Sequence, residues 1–168
     1  MTVTLIENYI TGKWMAGASP AKDVFSAVDG SVVAQSSTEG IDFETVLDHA
    51  RNVGGPALRK MTFSERAAML KALGAAIMER KEELYEINSW TGATRRDGWI
   101  DIEGGAGTLF SMASKGKIEL PEGNMIVDGP VERLSREGTF VGQHVYTPLQ
   151  GTAIHINAFN FPVWGMLE

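Results

Sequence analysis

Near its carboxyl end the chain reads Ile156-Asn157-Ala158-Phe159-Asn160-Phe161-Pro162-Val163-Trp164-Gly165, a polar amide set between two aromatic rings and followed by a proline. Two readings fit the residue types alone. Asn160 suits a turn with an unusual backbone angle, or a cap for a following helix. It equally suits a functional amide at the carboxyl end of a parallel strand, where α/β sheets bind their ligands. Other candidates carry less. Gly104-Gly105-Ala106-Gly107-Thr108-Leu109-Phe110 contains Gly-x-Gly, but Phe110 stands where a dinucleotide fingerprint needs its third glycine, and helical residues precede it instead of a strand. Close packing of a second helix against a small-residue face explains it better. His49, His144 and His155 lack metal-ligand spacing, and the pairs Asp101/Glu103 and Glu82/Glu83 fit a solvated helix face. The tryptophans are scattered, as packing residues are.

The elements that must position this cluster are short strands followed by helices. Gly12 centres a turn in Tyr9–Trp14, and Asp29-Gly30 suits a two-residue primed turn between Val24–Val28 and Val32–Ala34. Phe43, Val46, Leu47 and Ala50 recur at helical spacing in a segment stopped by Gly54-Gly55-Pro56. Thr62 and Glu65 stand in capping-box relation ahead of one long helix to about Ser89, with Leu70, Leu73, Ile77, Leu84 and Ile87 as its apolar stripe. A further helix is expected from Asp97 to Ala113, with contacts through Trp99, Ile102, Leu109, Phe110 and Met112. Residues 116–130 read as loop, 139–146 as an alternating exposed strand, and 152–156 as a short strand. That last strand leads into the Asn160 cluster and a helix opening at Val163. The class is α/β, and a chain ending one turn into a helix after a fresh strand reads as truncated.

Composition narrows the function. The 168 residues carry a net charge of -6 and no basic cluster, which argues against nucleic acid as a partner. There is no cysteine, hence no disulfide, thiolate metal site or cysteine nucleophile in this stretch. No signal-peptide pattern opens at Met1, and no run approaches the roughly 18 apolar residues of a membrane span, so a cytoplasmic setting is the default.

Asn157–Pro162 resembles the Pro-Trp-Asn-Phe-Pro motif of aldehyde dehydrogenases, with Ala158 in place of the proline and Phe159 in place of the tryptophan. Those departures, the run Gly54–Lys71, Thr91-Gly92-Ala93-Thr94 and Asp101-Ile102-Glu103-Gly104-Gly105 are similar to the dehydrogenase domain of phenylacetate-degradation enzymes and a benzoate-pathway sister group. Both act on CoA-thioester aldehydes. The resemblance implies an N-terminal part of the aldehyde dehydrogenase fold: 1–130 as strands and helices of the cofactor domain, 131–150 as oligomerisation-arm strands, and 151–168 as the first cofactor-domain strand with the start of a helix. It implies that Asn160 donates to the oxyanion of a tetrahedral intermediate, and that Ile156 and Phe159 border the cofactor. The cofactor would be NADP or NAD in the full-length protein, with none held tightly by these residues alone. The partners would be a small CoA-thioester aldehyde and further copies of the chain, without nucleic acid or membrane. The family's nucleophilic cysteine, basic glutamate and glycine-rich cofactor turn have no counterpart here, so the chain alone is expected to be inactive. The competing expectation is a non-enzymatic α/β module that binds a partner, with Asn160 purely structural.

Overall fold

The computed structural model describes residues 3–168, so the first two residues of the stretch screened for a signal peptide lie outside it. Three short sheets and a helical layer make up the architecture. Strand β1 (Thr4–Ile6) runs parallel to β5 (Val32–Ser36), which pairs antiparallel with β4 (Lys22–Phe25). Strands β2 (Asn8–Ile10) and β3 (Lys13–Met15) form the hairpin expected around Gly12, whose φ of 84° is one that glycine adopts without a Cβ penalty. The β4–β5 connection differs from the two-residue turn expected at Asp29-Gly30. Ser26 N–H bonds the Ser31 carbonyl, so four residues span the bend, and the Asp29 carboxylate accepts from the Ser31 amide and hydroxyl.

Gly54-Gly55-Pro56 does not stop its helix. Helix α1 (Phe43–His49) passes through a π-helical turn, Ala50–Gly54, into α2 (Gly55–Lys60), with the proline in the first turn of α2. The wider turn pairs Gly55 N–H with the Ala50 carbonyl, a register that accommodates a residue with no N–H and a ring that would crowd an ordinary turn. The Thr62/Glu65 capping box forms as expected and opens α3 (Phe63–Glu79). The single long helix does not form: Arg80, at φ −106° and ψ 14°, separates α3 from α4 (Lys81–Ser89). The next helix is longer than expected. It starts at α5 (Arg95–Gly98) under a second capping box, Thr94 with Asp97, passes through a π-helical turn at Trp99–Glu103 and continues as α6 (Gly104–Ile118). Residues 126–130, expected as loop, begin β6 (Ile126–Arg133), which pairs antiparallel with β7 (Val141–Tyr146).

The core is a narrow seam between α3 and α6. Ile102 and Ala106 are fully buried, with Leu109, Ala113 and Ala67 beside them. Gly74 lets α3 approach closely, because a Cβ there would sit 3.0 Å from the Phe110 ring. The expected apolar stripe is only partly covered, with Leu73 and Ile87 exposed, and of the contacts expected of the next helix Trp99 and Met112 are exposed too. Two helices can seal only the strip along which they touch, so apolar residues on their outer flanks stay in solvent. Helix α7 (Pro162–Leu167) packs on α6 and on the π-helical turn before it. Among the described residues no helix is long and apolar enough to cross a membrane.

Candidate functional site

Helix α7 directly follows the Asn160 cluster, and its docking determines where that cluster lies. An α-helix begins with backbone N–H groups that have no partner within it. Pro162, the first helical residue, has no N–H, so the first free donors are Val163 and Trp164. A cap from the adjoining sequence would have to come from Phe161, which is apolar, or from Asn160. Neither supplies one: Phe161 is the N-cap residue and makes no side-chain cap bond. The donors go instead to Asp101. Its Oδ1 accepts from Trp164 N–H at 2.7 Å and its Oδ2 from Val163 N–H at 3.3 Å. Asp101 is 1% exposed, so it does not lie on the solvated face expected for it, and Glu103 is only partly exposed, its side chain at 23%. Both occupy the π-helical turn, which turns Asp101 and Ile102 into the helical layer while Trp99 stays exposed, a geometry that 3.6-residue periodicity does not anticipate.

Small residues complete the dock. A Cβ on Gly104 would collide with the Trp164 ring, and one on Gly105 would lie 3.0 Å from Trp164 Cα. The start of the Gly-Gly-Ala-Gly run is therefore a close-packing face, as expected, and its neighbour is α7, whereas a Cβ on Gly107 would meet nothing within 4 Å. Its Gly-x-Gly portion sits inside α6, where its N–H groups serve the helix, and forms no phosphate cradle.

Glu103 lies two residues beyond Asp101 and has its own partners. Its Oε1 accepts from the Tyr85 hydroxyl at 2.8 Å and from Lys81 Nζ at 3.0 Å. The Tyr85 hydrogen bond, then the lysine, hold the Glu103 carboxyl below the ordinary carboxylate value. Burial, reinforced by the Glu103 carboxylate, pushes the Tyr85 phenol up to about 12. The Arg95 guanidinium stacks 4.4 Å from the centre of the Tyr85 ring. This cluster ties α4 to the same turn that carries Asp101.

Asn160, Ile156 and Phe159 stand in one exposed segment, with Ile156 93% and Phe159 89% exposed. Residues 152–156 do not form the expected strand. A strand exists through the hydrogen bonds of its neighbours, and no described strand pairs with this one. The helix after Pro162 is present as expected, but Asn160 is not its cap. His49 ends α1, His144 lies in β7 and His155 in the exposed run, and no three metal-ligating side chains come together among the described residues. Asp101 is the site residue that sequence reasoning misassigned. The available signal was a carboxylate next to Ile102 and just before a glycine pair, too common a pattern to identify a partner over 60 residues away.

Comparison with known proteins agrees with this arrangement. The family described as "Aldehyde dehydrogenase family" matches residues 14–167. A 3,4-dehydroadipyl-CoA semialdehyde dehydrogenase from Aromatoleum evansii is 37% identical over 164 residues, covering 97% of this chain and 32% of the relative. The chain thus spans about a third of that protein's length. Among solved structures, aldehyde dehydrogenase 21 from Physcomitrella patens, in complex with the reaction product succinate, superposes with a TM-score of 0.67 at 17% identity, over 83% of this chain and 28% of its own. A lactaldehyde dehydrogenase gives 0.63 at 21% identity, over 77% and 27%. PnpE, in complex with nicotinamide adenine dinucleotide, gives 0.59 at 24% identity, over 77% and 26%. The strands, helices and hairpin described above are a part of the aldehyde dehydrogenase fold, and the chain belongs to the aldehyde dehydrogenase family.

Proposed function

We propose that the full-length protein oxidises a CoA-thioester semialdehyde with NAD or NADP in the aerobic breakdown of aromatic acids, and that Asn160 is its oxyanion donor. The 37% identity to a 3,4-dehydroadipyl-CoA semialdehyde dehydrogenase across 97% of this chain carries the substrate class. In this reading a thiolate from beyond these residues attacks the aldehyde carbon, and the carbonyl oxygen becomes an oxyanion. The Asn160 carboxamide, exposed and with no side-chain hydrogen bond in the described structure, donates its N–H to that oxygen. A preorganised donor of this kind is worth roughly 10²–10³ in rate. Ile156 and Phe159 border the cofactor, offering an apolar surface to a flat ring and keeping water from the reacting carbon. A nicotinamide bound there would supply the acceptor for the hydride that leaves the tetrahedral adduct.

The 168 residues by themselves do not oxidise aldehydes in this reading, because they contain no cysteine to form the thiohemiacetal. The β6–β7 hairpin serves as an arm between copies of a cytoplasmic enzyme. Exposed Val127, Val131, Val141 and Val145 on a two-stranded sheet support that role, since such an edge gains from a partner. In this reading residues 1–125 and 151–168 belong to the cofactor domain, and the arm, expected from residue 131, begins with β6 at Ile126.

The test is a substrate panel. The full-length protein, assayed by the absorbance of reduced nicotinamide, is expected to turn over a semialdehyde CoA thioester at least tenfold faster than the same aldehyde as a free acid. Equal rates on both would remove the CoA-thioester assignment, and no reduction of either cofactor with any aldehyde would remove the dehydrogenase reading.

A further inference from the structure

We infer that Asp101 is a positioning residue for Asn160: by binding the first free N–H groups of α7, its buried carboxylate holds the turn that presents the Asn160 amide. The inference rests on the oxyanion reading of Asn160 and adds to it the group that fixes the donor.

Three observations carry it. The first concerns what Asp101 does with its charge. A carboxylate that is 1% exposed loses nearly all its hydration, which is costly unless strong donors replace water. Lys81, the cation paired on the same π-helical turn, is engaged by Glu103. Asp101 receives instead the two main-chain N–H groups of Val163 and Trp164, at the positive end of the helix dipole. Its partners are thus backbone atoms just beyond the Asn160 turn, and among the described residues no other side-chain hydrogen bond involves it.

The second concerns what α7 lacks. Proline at its first position and an apolar residue at its N-cap leave it without a cap from its own sequence. The direction in which α7 leaves the turn is set from outside, by Asp101 and by the close approach of Trp164 to Gly104 and Gly105.

The third concerns lever length. Asn160 is two residues ahead of α7, and residues 151–160 are exposed throughout. On this side, the nearest anchor of the Asn160 backbone is the Asp101 dock. An oxyanion donor has to be aimed within a few tenths of an ångström, and an error of about 1 Å can cost about 10²-fold in rate. A carboxylate that fixes the adjoining backbone is therefore a lever on turnover, although it touches neither substrate nor cofactor.

The experiment is a double-mutant cycle in the full-length enzyme, with Asp101→Asn, Asn160→Ala and the pair. Asp101→Asn keeps the shape of the side chain but removes the charge and one acceptor oxygen. The expected result is a fall in kcat of roughly 10- to 100-fold, the range for groups that orient a ligand from behind, with KM for the aldehyde changed less than about threefold. In the Asn160→Ala background the same substitution should cost less than about twofold, because no amide remains to be aimed. A merely structural Asp101 would lower kcat by the same factor in both backgrounds, and that outcome overturns the inference. So does an unchanged kcat in Asp101→Asn while Asn160→Ala is impaired, a result that leaves the oxyanion reading standing. Full turnover in Asn160→Ala would remove that reading and this inference with it. If Asp101→Asn does not yield folded enzyme, Gly105→Ala takes its place in the cycle, since its methyl group would press on the Trp164 backbone from the same side. The expected and the contrary outcomes are then the same.

Discussion

The starts of α3 and α7 meet one physical demand in two ways. Both expose N–H groups that their own helix cannot satisfy. At α3 the partners are neighbours in sequence: Thr62 accepts from the Glu65 amide at 3.1 Å, and the Glu65 carboxylate accepts from the Thr62 amide at 2.7 Å, all in solvent. At α7 the partner is a buried carboxylate some 60 residues away. A local cap tells a segment to become helix. A remote cap tells a helix where to lie. The first adds stability wherever the helix is placed, while the second ties α7, and the exposed turn before it, to the π-helical segment between α5 and α6.

Substitutions at the two starts should separate these roles. The largest effect on stability is expected from Asp101→Ala. It strips the acceptor from two part-buried N–H groups, each costing up to roughly 1–3 kcal/mol when left unpaired. Urea unfolding of the full-length protein should show a midpoint shift, and hydrogen exchange should show faster exchange at the α7 amides. Unaltered exchange there would mean that α7 is held by Trp164 alone. Thr62→Ala should cost about 1 kcal/mol, the usual worth of a threonine N-cap, and leave exchange in α7 untouched. A loss of α7 protection in that variant would collapse the distinction between the two starts.

A smaller, pH-dependent effect belongs to the cluster behind Asp101. Because the Tyr85 hydrogen bond holds the Glu103 carboxyl low, its contribution to stability is complete above the ordinary carboxylate range and fades as pH falls through the lowered value. For Tyr85 the sign is opposite. With its phenol pushed up to about 12, its contribution is complete below about 10, the ordinary value, and fades as pH rises toward about 12. Tyr85→Phe should cost about 1 kcal/mol at neutral pH. It should also make the acid-side loss of stability smaller and complete at a higher pH than in the parent. Identical acid limbs in the two unfolding profiles would show that Lys81 alone sustains the Glu103 charge.

The same contrast separates what was legible in the sequence from what was not. The Thr62/Glu65 box, the Gly12 turn and the close-packing use of Gly104 and Gly105 could be read because each depends on near neighbours or on a missing side chain. The helix break at Arg80 could not, since no glycine or proline marks it. Gly54-Gly55-Pro56 looked like a stop because a π-helical turn that absorbs a proline leaves no trace in hydrophobic spacing. The 152–156 run has strand composition but no paired neighbour, and composition cannot supply one. The site divides in the same way. The resemblance around Asn160 implies the oxyanion role proposed for it, whereas Asp101 reads in the sequence as one acidic residue of a helix face and is distinguished only by the fold, which sets α7 against it.

The most direct measurement is steady-state turnover of Asn160→Ala in the full-length enzyme with a semialdehyde CoA thioester. The account predicts a fall in kcat of roughly 10²–10³ with cofactor affinity almost unchanged, because the amide acts on charge that develops only in the transition state. A kcat within about twofold of the parent would contradict it and leave Asn160 as a turn residue.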